Sequence, residues 1–273
     1  MTQSRLSVTI CGAAGRMGKT NIEVFTESDD TTVVGALEPD DSLYIGRDAG
    51  IIAGLENIGV SISSSLESAI PSTDVIIDFT TVSASLSHVR VAREHKKAIV
   101  IGTTGFNDEQ LALITKYAQE IPIMLSPNMS PGVNVLFHLV GQAAHLLDDE
   151  FDVEILEIHH NKKTDAPSGT ALQFGRIIAD AWKKKFNDLA VYNRQGAVGK
   201  RRKGEIGIMA LRAADIVGDH TILFGGPGER IEFTHRSSSR KNYATGALMA
   251  ARYLSKKKNG FFTMADVLGL PKT

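Results

Sequence analysis

The sequence predicts an α/β protein with a doubly wound parallel sheet and a second α+β domain built on an open mixed sheet. Short apolar strands alternate with amphipathic helices through the first half of the 273 residues. A glycine-rich turn opens the first of these helices. After about residue 130 the pattern changes to one long helix, one strand, a second helix and then a run of consecutive strands. Two domains of different architecture follow from that change.

The first half contains six predicted strands, at Leu6–Cys11, Thr31–Glu38, Val60–Ser63, Asp74–Thr80, Ala98–Thr104 and Pro122–Asn128. Helices are predicted between them, the first ending at about Glu27 and others at Ser83–His95 and Asp108–Ala118. The stretch DVIIDFT is continuously apolar, as a parallel sheet covered on both faces requires. The carboxyl ends of parallel strands share one edge, where we expect a ligand to bind.

The first turn, GAAGRMG, places Gly12, Gly15 and Gly18 between a strand and a helix. Glycines there let the backbone approach a pyrophosphate, which the helix amino terminus attracts. Glu38 follows 20 positions after Gly18, where an acidic side chain accepts hydrogen bonds from the adenosine ribose. Together these features predict a Rossmann-like dinucleotide-binding domain. The alternatives are a turn that merely needs glycine, and a solvated strand end at Glu38.

Two other strand ends carry small and hydroxyl residues, GTTGF at 102–106 and SPNMSPGVN at 126–134. Such residues suit the lining of a nicotinamide and its ribose, although each segment alone could be an ordinary turn.

The second half begins with Ser130 as a helix cap and Pro131 at the first helical position. A strand at Phe151–His160 and a helix at Thr170–Lys184 follow. We expect 185–203 to be an exposed loop, the segments IGIMALRA, DIVGDHTILFGG and RIEFTHRSSS to form an antiparallel meander, and 240–256 to be helical.

The segment HHNKKTDAPSGTA, 159–171, gathers candidate catalytic groups. Lys163, near other cations, is a candidate proton donor, and His159 is an alternative donor or relay. Ser168, Gly169 and Thr170 open a helix whose N–H groups suit a carboxylate. The competing interpretation is structural. Adjacent histidines on a strand point to opposite faces unless the strand has ended, and adjacent lysines usually face solvent.

Composition narrows the class of function. A formal net charge of −1 and a basic segment without interleaved aromatics, 200–203, argue against nucleic-acid binding. No apolar run is long enough to span a membrane, and no signal peptide is apparent. Cys11 is the single cysteine, so we expect a reducing, cytoplasmic setting. Without a His-x-x-x-His pair or a cysteine cluster, we expect no metal.

These segments resemble the dihydrodipicolinate reductase family (4-hydroxy-tetrahydrodipicolinate reductase) of lysine and diaminopimelate biosynthesis. The similarity lies in GAAGRMG, IDFT at 77–80, IGTTGF at 101–106 and EIHHNKKTDAPSGTA at 157–171. It extends through GEIGI at 204–208, RAADIVGDHTILF at 212–224 and ERIEFTHRSSSR at 229–240, and so covers nearly the whole chain in order. The block from the two histidines to PSGTA is the most specific part.

The resemblance implies reduction of a cyclic imine-type dicarboxylate with NADH or NADPH. It implies that His159 is the proton donor or acceptor, that Lys163 is the proton donor, and that His160, Ser168, Gly169, Thr170 and Arg240 hold the substrate. The cofactor residues that it implies are Gly12, Ala13, Ala14, Gly15, Arg16, Met17, Glu38, Gly102, Thr103, Thr104, Ser126, Pro127, Asn128 and Met129. It also implies a homotetramer, a dinucleotide-binding domain over 1–130 joined by 241–273, and a substrate-binding and oligomerisation domain over 131–240.

One departure from the family pattern bears on the cofactor. Members that use both nucleotides often carry a basic residue directly after the acidic residue at 38, but here Pro39, Asp40 and Asp41 follow. We therefore expect NADH to be preferred, with NADPH still possible because Arg16 or Lys19 could reach a 2′-phosphate. Asn161 and Lys162 stand where a family member with HHRHK-type spacing carries Arg and His, whereas His159, His160 and Lys163 are retained. Two alternatives stay open, another two-domain amino-acid dehydrogenase and a dinucleotide-sensing regulator.

Overall fold

The computed structural model describes residues 5–271, which divide into two compact units. The first unit joins the chain up to Pro131 with Arg240–Leu270, and the second is Gly132–Ser239. Residues 1–4 and 272–273, at the outer ends of the predicted domain ranges, lie outside the described residues. None of the helices between residues 5 and 271 combines the length and the apolar character needed to cross a membrane.

The strands within the described part of the chain are β1 (Leu6–Cys11), β2 (Thr31–Leu37), β3 (Ile62–Ser63), β4 (Val75–Asp78), β5 (Ala98–Ile101), β6 (Pro122–Leu125), β7 (Asp152–His159), β8 (Ala190–Tyr192), β9 (Ile206–Arg212), β10 (Gly218–Gly226), β11 (Glu229–Ser237) and β12 (Gly260–Phe262). The α-helices are α1 (Arg16–Glu27), α2 (Ala49–Ala53), α3 (Leu66–Ala69), α4 (Val82–Glu94), α5 (Asp108–Tyr117), α6 (Pro131–Leu147), α7 (Gly169–Ala181), α8 (Phe186–Leu189), α9 (Lys241–Leu254) and α10 (Met264–Leu268).

The first unit is built on a seven-stranded sheet in the order β12-β6-β5-β4-β1-β2-β3. Every pairing within it is parallel. From β1 the chain adds strands in one direction, and from β4 it adds them in the other. The carboxyl ends of β1 and β4 therefore form a topological switch point, the usual ligand position of doubly wound sheets.

Apolar side chains cover both faces of this sheet. On one face Phe25 of α1 and Leu254 of α9 pack against strand residues such as Ile77. On the other face Val89 of α4 and Ile114 of α5 pack against their own set of strand residues. Each fully buried side chain of this size stabilises the fold by about 1.5–3 kcal/mol. Burial on both sides explains why β4 and β5 are apolar runs without alternation.

The second unit is built on a mixed five-stranded sheet in the order β11-β10-β7-β9-β8. Central strand β7 runs antiparallel to β10 and parallel to β9. Side chains of α6 and α7, among them Val140 and Phe174, pack on one face of the sheet. Along β7 the residues on that face alternate with exposed ones, and they include Glu157 and His159 as well as apolar side chains. The predicted fold class is confirmed.

The predicted antiparallel meander was wrong. Strands β10 and β11 do form a hairpin, but β9 pairs in parallel with β7 and lies on the far side of it from β10. The connection from β9 therefore passes β7 to reach β10. The sequence predicts three consecutive strands, but it does not determine which strands pair. In the sheet β7 lies between β9 and β10, so these two strands do not pair with each other.

The prediction of an exposed loop over 185–203 was wrong for its first part. Helix α8 and strand β8 lie within it, and β8 pairs in parallel with β9. The ring of Phe186 occupies the space beside Gly175, where a Cβ would lie 2.4 Å from the ring. Two of the basic residues that follow are paired within this unit, since Arg194 donates to both carboxylate oxygens of Glu154 at 2.8 Å and Arg201 also donates to Glu154.

Candidate active site

The glycine turn after β1 is tight because two of its glycines leave no room for a side chain. Gly12 has φ +72°, and its N–H and that of Ala13 both donate to the carbonyl of Leu37 at 2.9 Å. A Cβ on Gly18 would lie 1.9 Å from the carbonyl oxygen of Gly12. Gly15 caps α1 without a side-chain hydrogen bond, so the N–H groups of the first helical turn have no side-chain acceptor at the cap. This cradle fits the pyrophosphate of a dinucleotide.

Glu38 directly follows β2, beside this turn. Its Oε1 accepts a hydrogen bond from the N–H of Ala14 at 2.8 Å. The side chains of Pro39, Asp40 and Asp41 are exposed. Arg16 is also exposed, whereas the ammonium group of Lys19 lies 5.8 Å from the ring centre of Tyr44.

The segment after β5 is held by the end of β4. A Cβ on Gly102 would lie 2.2 Å from the ring of Phe79, so glycine permits this close contact. Thr103 is buried, and its hydroxyl accepts the N–H of Thr80 at 3.0 Å. Thr104 is exposed.

Asp78 anchors that arrangement, and sequence reasoning missed it. Its carboxylate is fully buried and accepts hydrogen bonds from the hydroxyls of Thr80 at 2.7 Å and Ser85 at 2.8 Å. Nδ1 of His88 donates to its other oxygen at 2.6 Å. A carboxylate at the end of an apolar strand, followed by hydroxyl residues, was the signal that could have found it.

Cys11, Asp78 and His88 bring potential ligand atoms within 4.8 Å of one another. Burial, assisted by the charge of Asp78, raises the pKa of the Cys11 thiol well above its usual value. A thiol held protonated is a poor metal ligand. The cluster is better explained by the hydrogen bond between His88 and Asp78.

The segment after β6 folds back on itself. The Ser126 hydroxyl donates to the carbonyl of Asn128 at 2.8 Å, and the Asn128 side chain accepts the N–H of Ser130 at 2.9 Å. Pro127 is exposed and Met129 is buried. In α9, a Cβ on Gly246 would lie 1.8 Å from the Met129 carbonyl oxygen. The helix therefore fixes the position of this segment.

All the predicted cofactor residues follow the carboxyl ends of β1, β2, β5 and β6. Because these are parallel strands of one sheet, the residues share one edge of it. They are Gly12, Ala13, Ala14, Gly15, Arg16, Met17, Glu38, Gly102, Thr103, Thr104, Ser126, Pro127, Asn128 and Met129.

In the second unit, His159 is the last residue of β7 and is largely buried. Its Nδ1 donates to Oε2 of Glu157, a fully buried carboxylate two residues earlier on the same face. His160 lies beyond the strand, and its carbonyl accepts the N–H of Lys163 at 3.1 Å. The strand ends between the two histidines, so the alternation of a strand does not govern both.

Lys163 is paired with Asp165. Its Nζ donates to both carboxylate oxygens, at 2.8 and 2.7 Å. The hydrogen bonds from Lys163 hold the pKa of Asp165 below its usual value. Arg212 of β9 donates to the carbonyl of Asp165 at 2.6 Å. The loop that carries Lys163 is thus tied to the sheet.

Some hydrogen-bonding groups at the start of α7 already have partners within the protein, Glu157 among them. Ser168 is the cap, and its hydroxyl accepts the N–H of Ala171 at 3.1 Å. Its own N–H donates to Oε1 of Glu157 at 3.1 Å, so that donor is already used. Gly169 is exposed and Thr170 half-buried.

His220 of β10 was also missed by sequence reasoning. Its Nε2 lies 3.1 Å from the Ser168 hydroxyl, and its ring meets that of His159 edge to face at 5.2 Å. Burial, with the neighbouring His159, lowers the pKa of His220 to about 3, so it stays neutral near pH 7. His220 lies 61 positions after His159 in the sequence, so the contact between the two rings becomes apparent only in the folded structure.

The predicted substrate contact of Arg240 stays a prediction. Arg240 is the residue before α9 and belongs to the first unit, whereas His159, His160, Lys163 and Ser168–Thr170 belong to the second.

Comparison with known proteins identifies the family. The model described as dihydrodipicolinate reductase, N-terminus, matches residues 6–129, and that described as dihydrodipicolinate reductase, C-terminus, matches residues 132–268. The chain belongs to the dihydrodipicolinate reductase family. Relatives named 4-hydroxy-tetrahydrodipicolinate reductase from Syntrophotalea carbinolica and Nitrosomonas europaea are 49% and 48% identical over 265 residues, which is 97% of this chain and 99% and 98% of those relatives.

Solved structures agree with membership in the dihydrodipicolinate reductase family. A dipicolinate-bound dihydrodipicolinate reductase from Paenisporosarcina sp. TG-14 is similar with a TM-score of 0.74 and 26% identity, covering 96% of this chain and 98% of that one. An amine dehydrogenase from Mycobacterium smegmatis shares the fold with a TM-score of 0.58 at 15% identity, covering 99% of this chain and 97% of that one. The chain is therefore an oxidoreductase, and the amino-acid dehydrogenase and regulator alternatives are not favoured.

Proposed function

We propose that this chain reduces 4-hydroxy-tetrahydrodipicolinate (dihydrodipicolinate) to tetrahydrodipicolinate by hydride transfer from NADH or NADPH, in diaminopimelate and lysine biosynthesis. The observation that carries the proposal is the folding of the HH-to-SGT segment around one buried carboxylate. It gathers His159, Lys163 and the start of α7 in the second unit. The dipicolinate bound by the similar Paenisporosarcina reductase supports a cyclic dicarboxylate as substrate.

The first unit is proposed as the dinucleotide-binding domain. The cradle of Gly12 and Gly18 and the uncapped start of α1 suit a pyrophosphate. The nicotinamide supplies the hydride when bound. Glu38 would accept from the adenosine ribose, and with Asp40 and Asp41 it would repel a 2′-phosphate. NADH is therefore the proposed preference, and the remaining residues of the same sheet edge, Gly102–Thr104 and Ser126–Met129, would line the nicotinamide side.

The second unit is proposed as the domain for substrate binding and oligomerisation. The 4-hydroxy substrate first loses its hydroxyl as water to give dihydrodipicolinate, and the ring then gains one hydride and one proton. His159 and Lys163 are the proposed proton-handling residues. His160, the exposed N–H of Gly169 and the hydroxyls of Ser168 and Thr170 would hold the carboxylates. Arg240 remains a proposed contributor from the first unit.

A homotetramer in the cytoplasm is also proposed, on the family resemblance. Leu156 and Leu211 project from the open face of the second sheet with 38% and 47% of their surfaces exposed, which suits burial against another copy. Sedimentation of the wild type and of Leu211→Lys tests this proposal, since the variant should shift toward smaller species. Cys11, a buried free thiol, fits a reducing compartment.

The deciding test is the loss of nicotinamide absorbance with NADH and NADPH in parallel, using substrate made in situ from pyruvate and aspartate semialdehyde. We expect oxidation with both, and faster with NADH. Faster oxidation with NADPH would retain the reductase and overturn the cofactor preference. No oxidation with either nucleotide by folded protein would overturn the proposed function.

A further inference from the structure

We propose that Glu157 is the positioning residue of this site, and that it holds the His159 ring in one orientation and one tautomer. The inference rests on the proposed role of His159 as a proton-handling group. Glu157 itself touches neither substrate nor cofactor in this proposal. It acts through His159, with Arg212 as its own partner.

The backbone fixes the relation between the two side chains. Glu157 and His159 are alternate residues of β7, so both point to the face covered by α6 and α7. Strand β7 is the central strand of its sheet, paired on both sides. A carboxylate and an imidazole carried by such a strand are positioned more precisely than they would be on a flexible loop.

A carboxylate acceptor determines which ring nitrogen carries the hydrogen. Ionised Glu157 can only accept, so the hydrogen between the two groups belongs to Nδ1 of His159. Nε2 is then the nitrogen that exchanges a proton with another molecule. Across residues 5–271 the structure gives Nε2 no hydrogen-bond partner, and a Cβ on Gly218 would lie 2.9 Å from it. Gly218 thus leaves the ring the space it needs.

A fully buried carboxylate is costly unless it is paired. Arg212 donates from Nη1 to both oxygens of Glu157, at 3.1 and 3.0 Å, and from Nη2 to Oε1 at 3.1 Å. Ser168 adds a backbone N–H. Burial would raise the pKa of Glu157, but the bonds from His159, Arg212 and Ser168 outweigh it and hold that pKa below its usual value.

The same guanidinium contacts the loop that carries the second proton-handling residue, Lys163. Nη2 of Arg212 also donates to the carbonyl of Asp165, whose carboxylate holds Lys163. Glu157 and Arg212 therefore set the place of His159 and, through one further residue, that of Lys163.

The proposal has a direct spectroscopic test on the wild type. Nitrogen-15 NMR of histidine-labelled protein distinguishes the two neutral tautomers, and the His159 signals are assigned by their loss in His159→Gln. We expect the neutral His159 ring to carry its hydrogen on Nδ1. The Nε2–H tautomer would overturn the proposal, whether or not the protein proves to be a reductase.

The variant Glu157→Gln keeps the size of the side chain and removes its charge. We expect kcat to fall about 100-fold, within the range for losing general acid–base catalysis, while the Kd for NADH changes less than about 2-fold. The His159 nitrogen signals should also change. Unchanged nitrogen signals, or an unchanged kcat in folded variant, would overturn the proposal.

Glu154→Gln is the matched control. It lies on the opposite face of the same strand, and it too is a carboxylate paired with arginine, namely Arg194. We expect its kcat and His159 signals to match the wild type, so an equal loss in both variants would make Glu157 merely structural and overturn the proposal. Wild-type protein without reductase activity would count against the proposed function alone, because the tautomer is read without turnover.

The groups that could shift a pH profile here come from several elements. Those with a charge or a titratable ring near His159 or near its neighbour His220 are Glu157, Lys163, Asp165, Arg212, His220 and His235. His220→Gln therefore accompanies Glu157→Gln in the NMR series. The His159 tautomer should be unchanged in His220→Gln and changed in Glu157→Gln. The reverse result would overturn the proposal and assign the positioning role to His220.

Discussion

The carboxylate of Glu38 accepts a hydrogen bond from the backbone N–H of Ala14, with 2.8 Å between Oε1 and the nitrogen. This contact joins the end of β2 to the glycine turn after β1. One oxygen is thereby committed to the protein, and the structure gives Oε2 no partner among residues 5–271. The contact therefore holds the Glu38 carboxylate beside the turn and leaves Oε2 available to accept a hydrogen bond from a ligand.

Glu38→Ala should therefore weaken NADH binding more than NADPH binding. A hydrogen bond to a charged group contributes about 1.5–3 kcal/mol, which is roughly a 10-fold or greater loss of NADH affinity. NADPH should lose less, because the repulsion of its 2′-phosphate disappears with the carboxylate. Fluorescence titration gives both Kd values. Glu109→Ala, which removes an exposed carboxylate of α5, is the control, and an equal loss for both nucleotides would remove the ribose contact from the proposal.

Lys163→Ala should lower turnover while leaving the cofactor bound. Removal of a general acid costs about 100-fold or more in kcat. The neighbouring Lys162 is exposed and has no assigned role, so Lys162→Ala is the matched control. Steady-state kcat and the Kd for NADH are the measurements. If the Lys163 variant turns over like the wild type, Lys163 has no part in the reaction.

Gly246→Ala should weaken cofactor binding, although Gly246 lies in α9 and is not one of the predicted cofactor residues. The added Cβ would collide with the Met129 carbonyl oxygen, so α9 or the segment 126–129 must shift. Such overpacking destabilises by about 1–3 kcal/mol. We expect weaker NADH binding and a lower denaturation midpoint by circular dichroism. Thr245→Ala, at an exposed position of the same helix, should change neither, and wild-type NADH affinity in Gly246→Ala would contradict the argument.

The second unit should lose stability as the pH falls below about 6.5. The pKa of His220 is about 3 in the fold and about 6.5 in an unfolded chain, so between these values only the unfolded chain takes up the proton. The loss approaches about 1.4 kcal/mol per pH unit for this one group. Trp182, the single tryptophan, is buried in this unit and reports its unfolding by fluorescence.

Urea midpoints at pH 7.5 and 5.5 provide that measurement. His220→Gln should be less sensitive to the change of pH than the wild type. The control His145→Gln removes an exposed histidine of α6 and should keep the wild-type sensitivity. Equal sensitivity in wild type and His220→Gln would show that other groups cause the effect.

The sequence predicts the first unit well because its signals are local. Each strand is an apolar run beside an amphipathic helix, and Gly12 and Gly18 mark the turn by a requirement that only glycine meets. The family resemblance likewise rests on continuous segments. Strand β12 was missed, since three residues carry almost no periodic signal, whereas β3 lies within the predicted strand Val60–Ser63.

The residues that position the groups of the candidate site were harder to predict, because they are far apart in the sequence and come into contact only in the folded chain. Arg212 and His220 lie 55 and 63 positions after Glu157 and reach it or its partners only once β9 and β10 flank β7. Glu157 did leave a signal, since it shares the parity of Val153 and Ile155 on a buried face. A carboxylate at such a position needs a cation, and the sequence cannot say which one.

The first unit is assembled from two separate stretches of chain, because β12 completes its sheet beside β6 and α9 packs against α1. During synthesis, the intervening residues 132–239 emerge before the stretch that finishes the sheet. A ribosome-bound chain that stops before residue 240 carries every strand of the second unit, but it leaves β6 as a bare edge with unpaired backbone groups. The nested unit is therefore complete in the nascent chain before the first unit, whose β6 edge has no partner strand until β12 has been synthesised.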